Sequence, residues 1–517
     1  MRKINLLILL LCLLGVSSCV KDEGNYNYAE VNKATIRFST YSYSAVINDV
    51  IEIAPQITYE NPEDTTRFKY EWYVDGKLET TNRELKITRD DVVGCNCVFM
   101  LVDTITGIKQ SGYYVTASFT SPYSEGWMIL YEKGDEAELG FISFKKSGSL
   151  VEYKPTYDLY RASNQGEILG KEPIKLVQHF ATSNGAEGDE ILVIQRGGQG
   201  CVEVSGRSLK KAILMQQEFL DGKLPKDFEP VDATYPQYRN LILNQDGKLY
   251  SRLITNPSLG FHTVAYNDIP FQYAGDSKKG MEISQIIMNA YHRTNHIMMY
   301  DRLHRRFLCM TVGSKTSAGE MLEMVCATDY PKGYASLDGM DEGVKLVFAS
   351  SYADAFNGVC KYAMILQWPD GEYTFQRFDY NSYKTENQVT LPNKPNVSFA
   401  GAEYITPESE FFMLRKTGDH LFFTGGVNNS VLYHYSVLEN KTVVYKDFDG
   451  MRIASLHPNL NSKQLGVGLE DGVFVLFDVS TTTAIATRPV IELWRKEGFG
   501  KIKDVIYKYG NPSNLYM

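Results

Sequence analysis

The chain lacks the features that would point most directly to chemistry. Its 517 residues include only eight cysteines, and Cys201, Cys309, Cys326 and Cys360 show none of the spacings of a zinc or cluster site. Cys95 and Cys97 lie two apart on one face of an expected strand, too close along the chain to bridge, so their apolar setting predicts buried thiols. The protein is therefore not expected to be built on disulfides. No basic run is present, and the formal net charge is −9, which argues against nucleic acid as a partner. No apolar stretch reaches the roughly 20 residues needed to span a bilayer as a helix. Gly-x-Ser-x-Gly is missing, and with it any support for serine-hydrolase chemistry. With no catalytic motif and no cofactor signature, a non-catalytic protein without cofactor or metal is the expectation.

What is present begins at the N-terminus. Arg2 and Lys3 precede an apolar run from Ile4 to Val16, and Val16-Ser17-Ser18 places small residues directly before Cys19. This order is that of a secretory leader cut before a cysteine, the pattern of a bacterial lipoprotein. Residues 1–18 are read as the signal peptide and Cys19 as the lipid-attachment site, followed by a flexible tether over 19–33. Several acyl chains hold far better than one, because each buried methylene adds about 0.8 kcal/mol. Loss of the leader takes two positive charges and leaves the body at −11. Lys21-Asp22-Glu23 resembles the basic-then-acidic export signal that carries Bacteroidetes-type lipoproteins to the outer face of the outer membrane. A solvated linker would have the same composition.

The body is aromatic, with 35 tyrosines and 25 phenylalanines, a composition suited to β-structure. From residue 34 to 120, short strand patterns follow one another: Thr35–Phe38, Val50–Ile53, Phe68–Val74, Leu85–Ile87, Cys97–Val102 and Tyr113–Phe119. Trp72 marks the core face of the third, Asp75-Gly76 after it is a hairpin signal, and Asp103 suits a turn cap. This spacing argues an immunoglobulin-like sandwich. The stretches Tyr70-Glu-Trp-Tyr-Val-Asp-Gly-Lys77, Met100-Leu-Val-Asp-Thr-Ile-Thr-Gly107 and Ser121-Pro-Tyr-Ser-Glu-Gly-Trp-Met-Ile-Leu130 resemble the PKD-like lipoproteins of Bacteroidetes. In those, a sandwich module precedes a large β-rich domain. The resemblance implies an accessory part of a Sus-type nutrient importer, beside a TonB-dependent transporter and its lipoprotein lid, handling peptides or glycans.

After a proline- and serine-marked boundary at 121–124, strand pairs recur. They start near 127, 190, 241, 296, 345, 420 and 464, each an apolar run, a turn and a second run. Periods of this size indicate propeller blades, here about seven, with six or eight also compatible. The absence of WD, kelch and aspartate-box repeats makes it a degenerate propeller, over 121–517; two further sandwiches are the rival. Asp246-Gly247 and Asp471-Gly472 suit two-residue type I′ turns. Residues 487–509 are expected to supply the last strands and close the ring.

His292, His296 and His304 are the only clustered histidines. The position after His292 is Arg293 rather than the glutamate of the zinc-protease pattern, and the segment runs into a strand, so no shared metal is expected. Gly197-Gly-Gln-Gly200 joins two strands without a following lysine or helix, which makes it a hairpin rather than a phosphate loop. A glycosidase would need two opposed carboxylates, and no local motif selects a pair among 62 acidic residues. The expectation is thus a surface-exposed, lipid-anchored, ligand-binding accessory protein. A propeller-fold polysaccharide lyase or glycosidase, and a structural scaffold, are the alternatives.

Overall fold

A computed structural model describes residues 29–510, apart from 149, 181–187, 237, 255–260, 274–279, 288–295, 312–318, 355–357, 385 and 416–417. Cys19, Lys21, Asp22, Glu23 and His292 lie outside the described residues. The chain divides into two compact units, 1–120 and 121–517.

The first unit is a sandwich. Strand Val93–Asp103 sits at the centre of its larger sheet, between Phe68–Val74 and Val115–Thr120. Two strand pairs, Ala34–Arg37 with Gln56–Tyr59 and Ile51–Ile53 with Leu85–Ile87, supply the opposing side chains. Alternation does the work: every second residue of Val93–Asp103 from Cys95 to Asp103 is buried. Trp72, fully enclosed between Phe38 and Phe99, donates its indole N–H to the Arg83 carbonyl at 3.1 Å. Cys95 and Cys97 share the core face and form no disulfide. Asp75 and Gly76 both take positive φ, as a type I′ hairpin requires. Asp103 caps the next turn, accepting from the backbone N–H of Ile105 at 2.9 Å, while Arg67 reaches it at 2.6 Å.

The described residues of the second unit form seven antiparallel sheets. Blade 1 is closed by the chain's end: its innermost strand is Lys501–Lys508, followed outward by Gly126–Lys133, Glu136–Ser147 and Leu150–Thr156. The innermost strands of blades 2 to 7 are Lys171–Phe180, Pro230–Thr234, Ile283–Ile287, Lys345–Asp354, Phe411–Met413 and Ile453–Pro458. Each inner strand neighbours the next, and the seventh neighbours the first, so the ring is closed. A separate apolar cluster fills each of the seven seams.

All seven expected strand pairs are present, because the middle strands of a blade are covered on both faces. Arg239–Asn244, His296–Asp301 and His420–Gly425 are buried along their whole length. Such strands read as unbroken apolar runs. Among the described residues blade 3 has three strands, its outer edge carrying an isolated bridge between Leu249 and Phe271. The expected type I′ turns at Asp246-Gly247 and Asp471-Gly472 are not found. Only the glycines take positive φ, and the Gly247 N–H bonds the Asn244 carbonyl at 3.0 Å. These are three-residue hairpins, in which a type I turn is followed by a left-handed glycine.

Candidate functional site

Stacking seven sheets around an axis leaves a channel lined by the inner strands. Here it is a cavity of about 390 Å³ to which all seven blades contribute, within the range of small-ligand sites. Its polar residues arise because an inner strand has one edge turned to the axis. The burial pattern of Lys171–Phe180, exposed and half-buried positions interrupted by Pro173, Leu176 and His179, reflects that position.

Lys175 of blade 2 pairs with Asp232 of blade 3 at 2.8 Å. Burial works against the ammonium, but the facing carboxylate outweighs it and the Lys175 pKa is raised. Asp504 of blade 1 accepts from the Leu176 N–H at 2.8 Å, the Ser455 hydroxyl at 2.9 Å and the Val505 N–H at 2.9 Å. It thereby ties blade 1 to blades 2 and 7. Burial raises its pKa despite these bonds. Glu410, directly before the inner strand of blade 6, keeps an exposed side chain close to Asp504 and Lys175. Loss of bulk hydration, with Asp504's like charge adding to it, pushes its carboxyl up to about 8. Glu410 is therefore largely protonated at neutral pH. Phe348 and Phe411, also in the lining, stack at 5.2 Å and 23° and offer an aromatic shelf.

A second recess, of about 240 Å³, lies at Lys133, Glu136, Glu138, Asp158 and Arg161 on blade 1. Its charges are satisfied locally: Lys133 pairs with Asp158 at 2.7 Å, Arg161 with Glu136, and Glu138 accepts two backbone N–H bonds at 2.8 Å.

Of the clustered histidines, the described His296 and His304 take separate partners. His296 Nε2 lies 2.9 Å from the Tyr362 hydroxyl, and burial holds that imidazole down to about 3. His304 turns to Asp301 at 2.8 Å. Gly197–Gly200 forms the expected hairpin between two blade 2 strands. Lys175 and Asp232 in the channel lining, and Glu410 and Asp504 close to Lys175, carry no mutual sequence spacing. They come from four blades and up to 329 positions apart, so only ring closure assembles them.

Residues 19–173 match the model of the PKD-like family. The match runs through the sandwich and the three strands that the N-terminal side contributes to blade 1. No curated protein matches the chain. Among solved structures, a quinoprotein alcohol dehydrogenase-like protein from Bacteroides thetaiotaomicron is similar at 13% identity, over 91% of this chain and 97% of its own, with a TM-score of 0.39. A putative 6-phosphogluconolactonase from Bacteroides fragilis is similar at 11% identity, over 74% and 98%, with a TM-score of 0.45. The Cps50 (Swd1) β-propeller domain of Myceliophteria thermophila is similar at 8% identity, over 65% and 91%, with a TM-score of 0.38.

Proposed function

We propose that this chain is a lipid-anchored protein of the outer face of the outer membrane. In this reading its propeller channel binds a peptide or glycan fragment as a non-catalytic accessory to a Sus-type, TonB-dependent uptake system. The observation that carries the binding role is the channel, where an aromatic shelf lies among charged residues from several blades. Aromatic faces stack on sugar rings and apolar side chains, and flanking charges orient polar ends. Anchoring through Cys19 would hold that channel beside a transporter and raise the effective ligand concentration without further contacts.

A lyase or glycosidase is the second reading, favoured by one feature: Glu410 holds its proton near neutrality, as a general acid does. Against it, Asp504 already accepts three hydrogen bonds that tie the blades, and Asp232 is paired with Lys175 at 2.8 Å, so neither of these carboxylates stands free for attack or for activating water.

Native-membrane purification of the tagged chain, with mass spectrometry of co-purifying proteins and bound fragments, tests the accessory role. A TonB-dependent transporter is the expected companion, and its absence from gently solubilised membranes removes the importer reading. Calorimetry with peptide and glycan pools separates binding from turnover. Phe411→Ala is expected to abolish binding, and release of cleaved product by the wild type would transfer the conclusion to the enzyme.

A further inference from the structure

The most unusual polar grouping among the described residues lies outside the channel, in the seam between blades 2 and 3. In blade 2, strand register sets His179 opposite Glu190, Val177 opposite Leu192, and Leu192 opposite Glu203. Paired residues share a face, so His179, Glu190 and Glu203 all project with Leu192 into the seam, which is otherwise filled by Ile194, Ile242, Tyr250 and Tyr266. His262 enters from the chain that follows the third strand of blade 3.

His179, Glu190 and Glu203 converge, and His262 meets them at Glu190. His179 Nε2 is 2.7 Å from Glu203 Oε2, and His262 Nε2 is 2.9 Å from Glu190 Oε2. One donor atom from each of His179, Glu190 and Glu203 falls within 4.8 Å of the others. All three residues are at least nine-tenths buried, Glu203 completely. The Glu190–His262 approach is not aligned as a hydrogen bond, and both atoms are buried without a hydrogen-bond partner. At 2.9 Å the two atoms face each other as an ion pair when the imidazole is protonated, and a metal ion between them would replace that contact with two ligand bonds.

The surroundings orient the imidazoles. His262 Nδ1 contacts Glu218, which is in turn held by Arg252. The His179 ring stacks on Tyr235 at 3.8 Å between centroids and meets Phe261 edge-on. A histidine whose second nitrogen is fixed by a carboxylate is the usual arrangement around a bound metal. Charge points the same way. Glu190, Glu203 and Glu218 face one permanent cation, Arg252, and with both imidazoles neutral, as metal ligation requires, a dication balances the remaining negative charge.

We propose that His179, Glu190, Glu203 and His262 bind a divalent transition-metal ion of the zinc class, clasping blade 3 to blade 2. Two imidazoles and two carboxylates, without thiolate, form a four-ligand set suited to zinc. Tetrahedral ligands about 2.0–2.1 Å from such an ion stand roughly 3.3 Å apart, so on binding the two close pairs open by a few tenths of an ångström while the wider separations among His179, Glu190 and Glu203 close and His262 moves inward. All four positions are protein ligands, so the ion would be structural. Its place fits the blade in which the described residues form three strands.

The test uses the full mature chain. It is stripped with a chelator, reloaded with Zn²⁺, gel-filtered and assayed by plasma mass spectrometry, with Co²⁺ substitution to report geometry by its d–d spectrum. The expected result is one retained zinc per chain, a tetrahedral cobalt spectrum and a melting temperature that falls on chelation. Glu190→Gln and His262→Gln should each weaken zinc binding by more than about tenfold at unchanged circular dichroism. His262→Gln, in the least enclosed ligand, keeps the test open if the buried variant fails to fold. A wild-type chain that retains no stoichiometric zinc overturns the proposal, as does a folded His262→Gln chain that retains zinc as tightly as wild type.

Discussion

Gly466→Ala tests the geometry of the ring seam. Gly466 lies in the second strand of blade 7, and a Cβ there would fall 2.6 Å from Trp127 Cζ3 and 2.9 Å from two further atoms of the indole. Trp127 cannot retreat: it is fully buried in blade 1 and boxed in by Phe474 at 5.4 Å and Tyr507 at 5.1 Å between centroids. Overpacking of this kind costs about 1–3 kcal/mol. Replacing glycine lowers the entropy of the unfolded chain and returns about 0.4–1 kcal/mol, so a net loss of roughly 1–2 kcal/mol is expected. Urea titration followed by circular dichroism reads it as a lower midpoint at unchanged slope. The decisive variant is the double mutant. Trp127→Phe removes the ring atoms in question, so the added methyl enters vacated space and the two losses should fall short of additivity by about 1 kcal/mol or more. A Gly466→Ala protein as stable as wild type, or a strictly additive pair, would refute the argument that the closing seam is packed to contact.

Four further outcomes are expected. Because Glu410 titrates near 8 in the fold against roughly 4.3 when unfolded, the folded state holds the extra proton between those values. Stability should therefore fall as pH rises from about 4.5 to 8, and Glu410→Gln should flatten that slope in melting curves taken across the window. Asp103 shows the opposite sign: Arg67 holds its carboxyl well below the usual range, so its contribution is present above about pH 4 and lost as acid protonates it. Arg67→Met should lower the stability of the sandwich at neutral pH and remove that acid-side decline, as followed by limited proteolysis. Cys19→Ala should move the protein from the membrane to the soluble fraction. Alanines at Lys21, Asp22 and Glu23 should protect it from protease on whole cells, and unchanged surface display would remove the reason to read them as an export signal.

Where the sequence was legible, each position had one dominant neighbourhood. Middle blade strands such as Leu241–Leu243 and Phe474–Phe477 are enclosed on both faces and show as apolar runs. Inner strands were harder. Ile283–Ile287 and Ile453–Pro458 mix buried positions with half-buried or exposed ones because one edge meets the channel and its residues answer to different surroundings. The sandwich strands Ser42–Val46 and Lys77–Thr80 escaped for a related reason, since neither holds a fully buried position. Lys175, Glu410 and Asp504 had no signal at all, and neither did the histidines and glutamates of the blade 2 and 3 seam.

The sequence alone determined the all-β class, the two-part order of sandwich and ring, the seven strand pairs and the closure by the last strand. Those follow from local alternation, apolar runs and turn residues, which act over a few positions. It also carried Cys19, whose meaning depends on its neighbours in the chain. Tertiary structure decided what stands across the channel and across each seam. Lys175 meets Asp232, Glu410 feels Asp504, and His262 reaches Glu190 only because a closed ring brings distant strands edge to edge. In that enclosure charges lose their water, and whether a carboxyl keeps its proton depends on partners that no sequence window contains.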